Sequence, residues 1–290
     1  KTIRIGWADT HDRHTYSFEI KVIDTLKATK NQTKTAMLLN CGFRLVNSIM
    51  HESTQRGIER RKLTSYEIDH INIDEKSFKK GHTYVTVVSD PKLGLVLNVG
   101  ENRDQESVED LIKGTFTETQ LVNIKTVCID MWKAYINATK KLMPNAKMAH
   151  DKFHLVSDLN EVIDKVRRRE VKENEVLKNS RYSLLKNEEN RTKNQKEIFN
   201  EIMKSNLSVT KAYYAKETFK SLFKSGCDEK EAKSILINWA TEFFMLHIPE
   251  LGKVILSFLN HWKGIINAMI LHRTNAMAER LNGKIQEIKL

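Results

Sequence analysis

The chain has 290 residues, of which 40% are hydrophobic, and a formal charge of +11. Those values describe an ordinary globular chain, long enough for two or three domains, that favours a polyanionic partner such as nucleic acid. No stretch approaches the ~20 consecutive apolar residues of a membrane span, which argues against a membrane partner.

The opening KTIRIGWADT carries no secretory leader and reads as a start within a longer protein. His11 and His14 have no cysteine beside them, so surface or turn histidines explain them better than a remnant zinc module. Cys41, Cys128 and Cys227 are odd in number and far apart, which fits a reducing cytoplasm rather than a disulfide framework.

Residues from about 18 to 61 read as helices. Within TKTAMLLNCGFRLVNSIMHESTQRGIERR, the residues Ala36, Asn40, Val46 and Ile49 have the spacing of a helix-turn-helix core. A small residue there lets two helices approach, a turn residue follows, and two apolar residues anchor the second helix. Asn40 tolerates the left-handed conformation such a turn requires. Arg44, Asn47 and Ser48 would then face bases, while Arg56, Arg60, Arg61 and Lys62 would meet phosphates. The competing reading is a plain helical pair with a solvated basic face.

After Tyr66 the period changes from helix to strand. HINID alternates, TYVTVVS is β-branched, and GLVLNV follows a turn built from Asp90, Pro91 and Gly94, so an antiparallel three-stranded meander is predicted. A helix over 104–113 should stop at Gly114. KTVCID is almost continuously apolar, as in a buried parallel strand. A helix over 133–142, a short strand over 146–149 and a helix starting near Asp151 complete the order βββαβαβ, which matches ribonuclease-H-like domains. From about 159 to 262 the chain reads as helical. Ile235, Leu236, Trp239, Phe243 and Leu246 form one apolar stripe, and Val254, Phe258, Leu259, Trp262 and Ile266 form another. In the KVRRREVK run, Arg167 and Arg168 would line a DNA path or a solvated helix face.

Three acidic residues stand where a carboxylate is costly without a task. Asp74 and Asp130 end apolar strands, and Glu279 lies on a final helix that Asn275 would cap. In the predicted strand order, Asp74 and Asp130 are neighbours. Mg²⁺ or Mn²⁺ needs only two or three such carboxylates, because phosphate oxygens and water complete its shell. Two ions ~4 Å apart, with DNA bound, would activate the attacking oxygen and stabilise the leaving one. Glu279 and Asn282 fall off the apolar stripe of their helix, beside Arg280 and Lys284, which would hold phosphate. Each acid taken alone is more often a solvated charge or a cap.

The phrases IDEKSFKKGHTYVTVVSD, IDMWKAYINA, PNAKMAHDKFHLV and TNAMAERLNGKIQEIK resemble bacterial insertion-sequence DDE transposases of the ISL-three family. The likeness runs from Arg13 to the end, and RYSLLKNEEN is similar to that family's insertion between the second Asp and the Glu. The resemblance implies an α/β fold: a ribonuclease-H-like mixed sheet interrupted by an all-helical insertion and preceded by a helix-turn-helix region. The corresponding segments are 1–66 for DNA binding, 67–158 for the first catalytic part, 159–262 for the insertion and 263–290 for the final part with Glu279.

It further implies an active site of Asp74, Asp130 and Glu279 holding Mg²⁺ or Mn²⁺. The reactions implied are strand cleavage at inverted-repeat ends and transfer of the freed 3′ hydroxyls to target DNA, by a homodimer on double-stranded DNA in a bacterial, nucleoid-associated cytoplasmic setting. Asp151 and His154, in the DKFHL phrase, would lie near the metal site. There His154 would orient a ligand or contact the scissile phosphate, or make a structural hydrogen bond instead. Lys76, Lys79 and Lys80 would hold phosphates or remain surface lysines. This chain has Arg280 where the family commonly has Gly after the Glu, ends at Leu290 where relatives continue with a basic segment, and shows no N-terminal zinc segment. The rival readings are a catalytically inactive, transposase-derived DNA-binding protein and a nuclease that cleaves without joining.

Overall fold

The computed structural model describes residues 6–8, 13–63, 67–79, 83–224 and 226–271. The chain divides between Glu67 and Ile68 into two compact units.

The first unit contains helices α1 (Tyr16–Thr29), α2 (Gln32–Leu38) and α3 (Phe43–Leu63). Thr15 caps α1 by accepting from the Phe18 N–H, and Asn31 caps α2 by accepting from the Lys34 N–H. Ala36, Val46 and Ile49 are buried together with Val22. Between α2 and α3, Asn40 takes a φ of 48°, where its short polar side chain is tolerated better than a branched one. Arg56 pairs with the buried Glu19 carboxylate at 2.5 Å, and His14 reaches the same group at 3.2 Å. Arg56, expected at DNA phosphates, makes this pair while its side chain stays 41% exposed.

The second unit is mixed α/β. Its strands are β1 (His70–Lys79), β2 (Thr83–Asp90), β3 (Leu95–Glu101), β4 (Thr126–Ile129) and β5 (Lys147–His150), in the order β3-β2-β1-β4-β5. β1, β2 and β3 form the antiparallel meander, while β4 and β5 run parallel to β1. The β2–β3 turn is closed by Asp90 Oδ1, which accepts from the N–H groups of Lys92 and Leu93, with Gly94 at a φ of 68°.

Helices α4 (Gln105–Thr115) and α5 (Glu118–Asn123) precede β4, and α6 (Lys133–Leu142) joins β4 to β5. Ile71, Ile73, Val127 and Ile129 pack with Val108 and Ile112 of α4 and Tyr135 of α6. Each side chain of this size contributes about 1.5–3 kcal/mol when fully buried. Gly114 does not stop α4, which continues to Thr115 before the buried Phe116. The short α5, unanticipated in the sequence, is set by a capping box of Thr117 and Gln120.

Asp151 caps α7 (Lys152–Glu170), which leads from the sheet into a helical cluster. That cluster holds α8 (Arg181–Leu185), α9 (Lys193–Met203), α10 (Ser208–Leu222), α11 (Glu229–Phe244), α12 (Pro249–Asn260) and α13 (Trp262–Leu271). Phe219 sits at its centre, with ring centroids 4.8 Å from Trp239 and 5.0 Å from Phe258. Trp239 is buried and donates its indole N–H to the Ala215 carbonyl. The second predicted stripe is broken, because α12 and α13 meet at a bend of 77° around His261. Leu246 falls beyond the end of α11 and is exposed. Among the described residues no single helix is long and apolar enough to cross a membrane.

Candidate active site

The site follows from strand register. Asn72 of β1 pairs with Cys128 of β4, and Cys128 pairs with Ala149 of β5. Two residues further along come Asp74, Asp130 and Asp151. Asp130 and Asp151 directly follow the carboxyl ends of β4 and β5, where open sheets bind ligands. Asp74 does not end its strand as the sequence suggested, because β1 runs on to Lys79 in its pairing with β2. On β1, Ile71 and Ile73 enter the core, and alternation puts Asn72 and Asp74 on the other face. Lys76, half-buried, shares the face of Asp74.

Two of these carboxylates, Asp74 and Asp151, converge on one imidazole. His154, on the first turn of α7, places Nε2 3.4 Å from Asp74 Oδ1 and 3.8 Å from Asp151 Oδ2. The Asp74 hydrogen bond, helped by the charges of Asp74, Asp151 and Asp130, outweighs burial and raises His154 to about 9. Burial does the opposite to Asp130 and raises its carboxyl to about 6, assisted by the charges of Glu75 and Asp74. The Trp132 N–H, 2.8 Å from Asp130 Oδ1, and the nearby His154 limit that rise. Asp151 accepts from the Phe153 N–H at 3.2 Å, so its carboxylate also holds the start of α7.

A cluster that the sequence did not reveal borders Asp130. Arg103, just after β3, donates to both oxygens of Glu75 at 2.8 and 3.1 Å. Its guanidinium carbon lies 3.8 Å from the Tyr84 ring centroid and 4.6 Å from that of Trp132. The Trp132 indole N–H donates back to the Arg103 carbonyl at 3.1 Å. The sequence signal was present in IDMWKAY, but the partners come from three other strands or loops.

Behind the site, His150 Nδ1 is 3.2 Å from the Asp130 carbonyl, and α13 closes over the ring. Burial, with the neighbouring His261, lowers His150 to about 4.

The remaining sequence candidates are dispersed. In the first unit Arg44 and Arg60 are exposed, and Asn47 donates to Gln32 at 3.1 Å. Arg167 and Arg168 both grip Asp164: Arg167 is 13% exposed and donates through Nε at 2.9 Å and Nη2 at 2.7 Å, whereas Arg168 remains 66% exposed. Glu279, Asn275, Arg280, Asn282, Lys284, Lys80 and His11 lie outside the described residues, as do the side chains of Arg61, Lys62 and Lys79.

Among the described residues, no group of three or more His, Cys, Asp or Glu side chains is arranged to hold a metal ion. The donors at Asp74 and Asp130 are nevertheless hard carboxylate oxygens, and their crowding, relieved here by the His154 imidazolium, suits a hard divalent cation.

Comparison with known proteins gives a consistent result. The family model of ISL3-type DDE transposases, described as Transposase, matches residues 71–290. The transposase for insertion sequence element IS1001 of Bordetella parapertussis is 27% identical over 228 residues, covering 76% of this chain and 55% of that protein. The transposase for insertion sequence element IS1557 of Mycobacterium tuberculosis (strain CDC 1551 / Oshkosh) is 24% identical over 316 aligned residues, covering 98% of this chain and 69% of that protein. The chain thus spans about half of one such relative and about two thirds of another.

Proposed function

Because this chain belongs to the ISL-three family of DDE transposases, we propose that it cleaves DNA at inverted-repeat ends and transfers the freed 3′ ends to target DNA. The observation that carries this reading is the parallel register of β1 and β4, Asn72 opposite Cys128, which brings Asp74 within β1 level with Asp130 just past the end of β4. In this reading the sheet of the second unit is ribonuclease-H-like, and Glu279 supplies the third carboxylate. The domains are 1–66 for helix-turn-helix DNA binding, 67–158 and 263–290 for catalysis, and 159–262 as a helical insertion.

Asp74, Asp130 and Glu279 would hold Mg²⁺ or Mn²⁺, which when bound activates the attacking oxygen and neutralises phosphate charge. The protein's own contribution is positioning. Trp132 fixes the Asp130 carboxylate through its backbone N–H, and His154 steadies Asp74 and Asp151. Water would attack in the cleavage step and the DNA 3′ hydroxyl in the joining step, with no covalent protein intermediate. Arg44, Asn47 and Arg60 of the first unit, with Lys76 and Arg168 of the second, are the proposed DNA contacts. Double-stranded DNA is the partner, the working form is a homodimer on paired ends, and the setting is the cytoplasm.

The test is cleavage of an inverted-repeat duplex, taken from DNA flanking the reading frame, with Mg²⁺. Wild type should nick at the 3′ end of the element, and Asp74→Ala should reduce the rate by about a thousand-fold or more. Equal nicking by both would overturn the assignment, and binding without nicking would favour the DNA-binding rival. Joined product from pre-cut ends would exclude a nuclease that only cleaves.

A further inference from the structure

We propose that the open face of the Trp132 indole is a stacking platform for the nucleobase beside the scissile phosphate. The inference rests on the transposase reading and adds a substrate contact to it.

Trp132 is 42% exposed, in contrast to the buried Trp239 of the helical core. An exposed tryptophan is ordinarily free to choose among rotamers, but this one has its backbone tied to the site and its ring held at two points. Its backbone N–H is fixed to Asp130 Oδ1 at 2.8 Å, and its indole N–H to the Arg103 carbonyl at 3.1 Å. The Arg103 guanidinium lies over one face of the ring, 4.6 Å from the centroid, which leaves the opposite face for a stacking partner. Arg103 is itself anchored by Glu75 and by the Tyr84 ring.

Fixing an exposed aromatic in this way forfeits side-chain entropy without burying the ring fully. The arrangement is useful to a flat, apolar partner that arrives later, because a pre-set ring loses little freedom on contact. The partner follows from location. The backbone N–H of the same tryptophan holds the Asp130 carboxylate proposed to bind metal at the phosphodiester, two residues away, so the group that reaches the ring is a base attached to the reacting nucleotide. Bases stack on aromatic rings whatever their sequence, and a nucleotide at a reacting phosphate can be drawn out of the duplex stack.

The experiment measures single-turnover cleavage by the full chain for wild type, Trp132→Phe and Trp132→Ala, at saturating DNA. Substrates are intact duplexes and duplexes with one abasic site at each position flanking the cut. On intact DNA, Trp132→Ala should be slower by roughly ten- to hundred-fold, and Trp132→Phe by only about threefold. At the contacted position, removing the base should erase the difference between Trp132→Ala and wild type. A structural role would leave the defect equal on intact and abasic DNA, and that result overturns the proposal, as does an absent defect.

A second arm uses 2-aminopurine at the same positions and reads base unstacking on binding, without requiring cleavage or a folded Trp132→Ala variant. Wild type should change the emission at one flanking position, Trp132→Phe should retain most of that change, and the non-aromatic Trp132→Leu should lose it. A full change with Trp132→Leu overturns the proposal. No change at any position overturns the proposal. Failure of wild type to cleave any duplex counts against the transposase reading instead, and the fluorescence arm then still decides the role of Trp132.

Discussion

His154 Nε2 lies 3.4 Å from Asp74 Oδ1, so an imidazole from the first turn of α7 closes on a carboxylate from the middle of β1. With Asp151 at 3.8 Å from the same nitrogen, a positive charge occupies the centre of a buried acidic row. The imidazolium therefore compensates charges that the fold alone leaves crowded, and its titration has measurable consequences.

The folded value for His154, about 9, lies above its ordinary value of 6.5. The stability it contributes is fully present below pH 6.5 and is lost as pH rises through about 9. The side chain is 37% exposed. Screening by solvent reduces the contribution to about 1–2 kcal/mol. Urea unfolding of metal-free protein at pH 6 and pH 9.5 should show that loss in wild type and not in His154→Gln. Identical pH slopes for the two proteins would remove the His154 explanation.

Divalent metal and protons should compete for the same carboxylates. Asp130 carries a proton below about pH 6, and His154 repels a cation below about pH 9. Mn²⁺ affinity, followed by its electron paramagnetic resonance signal, should therefore rise with pH in two steps. His154→Gln should keep only the lower step, and Asp130→Asn should weaken binding throughout. A pH-independent affinity in wild type would count against metal binding at this row.

Gly264 lets α13 approach β5. A Cβ added there would lie 2.2 Å from His150 Cδ2 and 2.5 Å from Nε2, against a buried ring that has no room to swing away. Gly264→Ala should cost about 1–3 kcal/mol in urea unfolding. Gly264→Ala combined with His150→Ala should recover part of that loss relative to His150→Ala alone. Additive losses would show that the clash is not the cause.

Arg167 and Arg168 separate a structural role from a DNA role. Arg167→Ala should lower stability by about 2 kcal/mol, because it removes charge-assisted bonds to the buried Asp164. Its DNA affinity should stay near wild type. Arg168→Ala, whose side chain is 66% exposed, should weaken DNA binding and reduce the salt slope by about 1. The reverse pattern in fluorescence-anisotropy titrations would reassign the two residues.

The sequence by itself determined the strands around Asp74 and Asp130, since HINID alternates and KTVCID is a short continuous apolar run, both strand patterns whatever surrounds them. It also determined the spacing of Ala36, Asn40, Val46 and Ile49, because burial at helical intervals and a left-handed turn residue are local requirements. Local pattern did not reveal the capping box that makes α5, the break at His261, or the continuation of α4 through Gly114. Strand order already made Asp74 and Asp130 neighbours, but only the tertiary structure decided that Asp151 joins their register row, that His154 turns toward Asp74, and that Arg103 clamps Trp132. The physical reason is that periodicity records which face of an element is buried. Register and side-chain partners depend on how distant elements meet, and no single segment encodes that meeting.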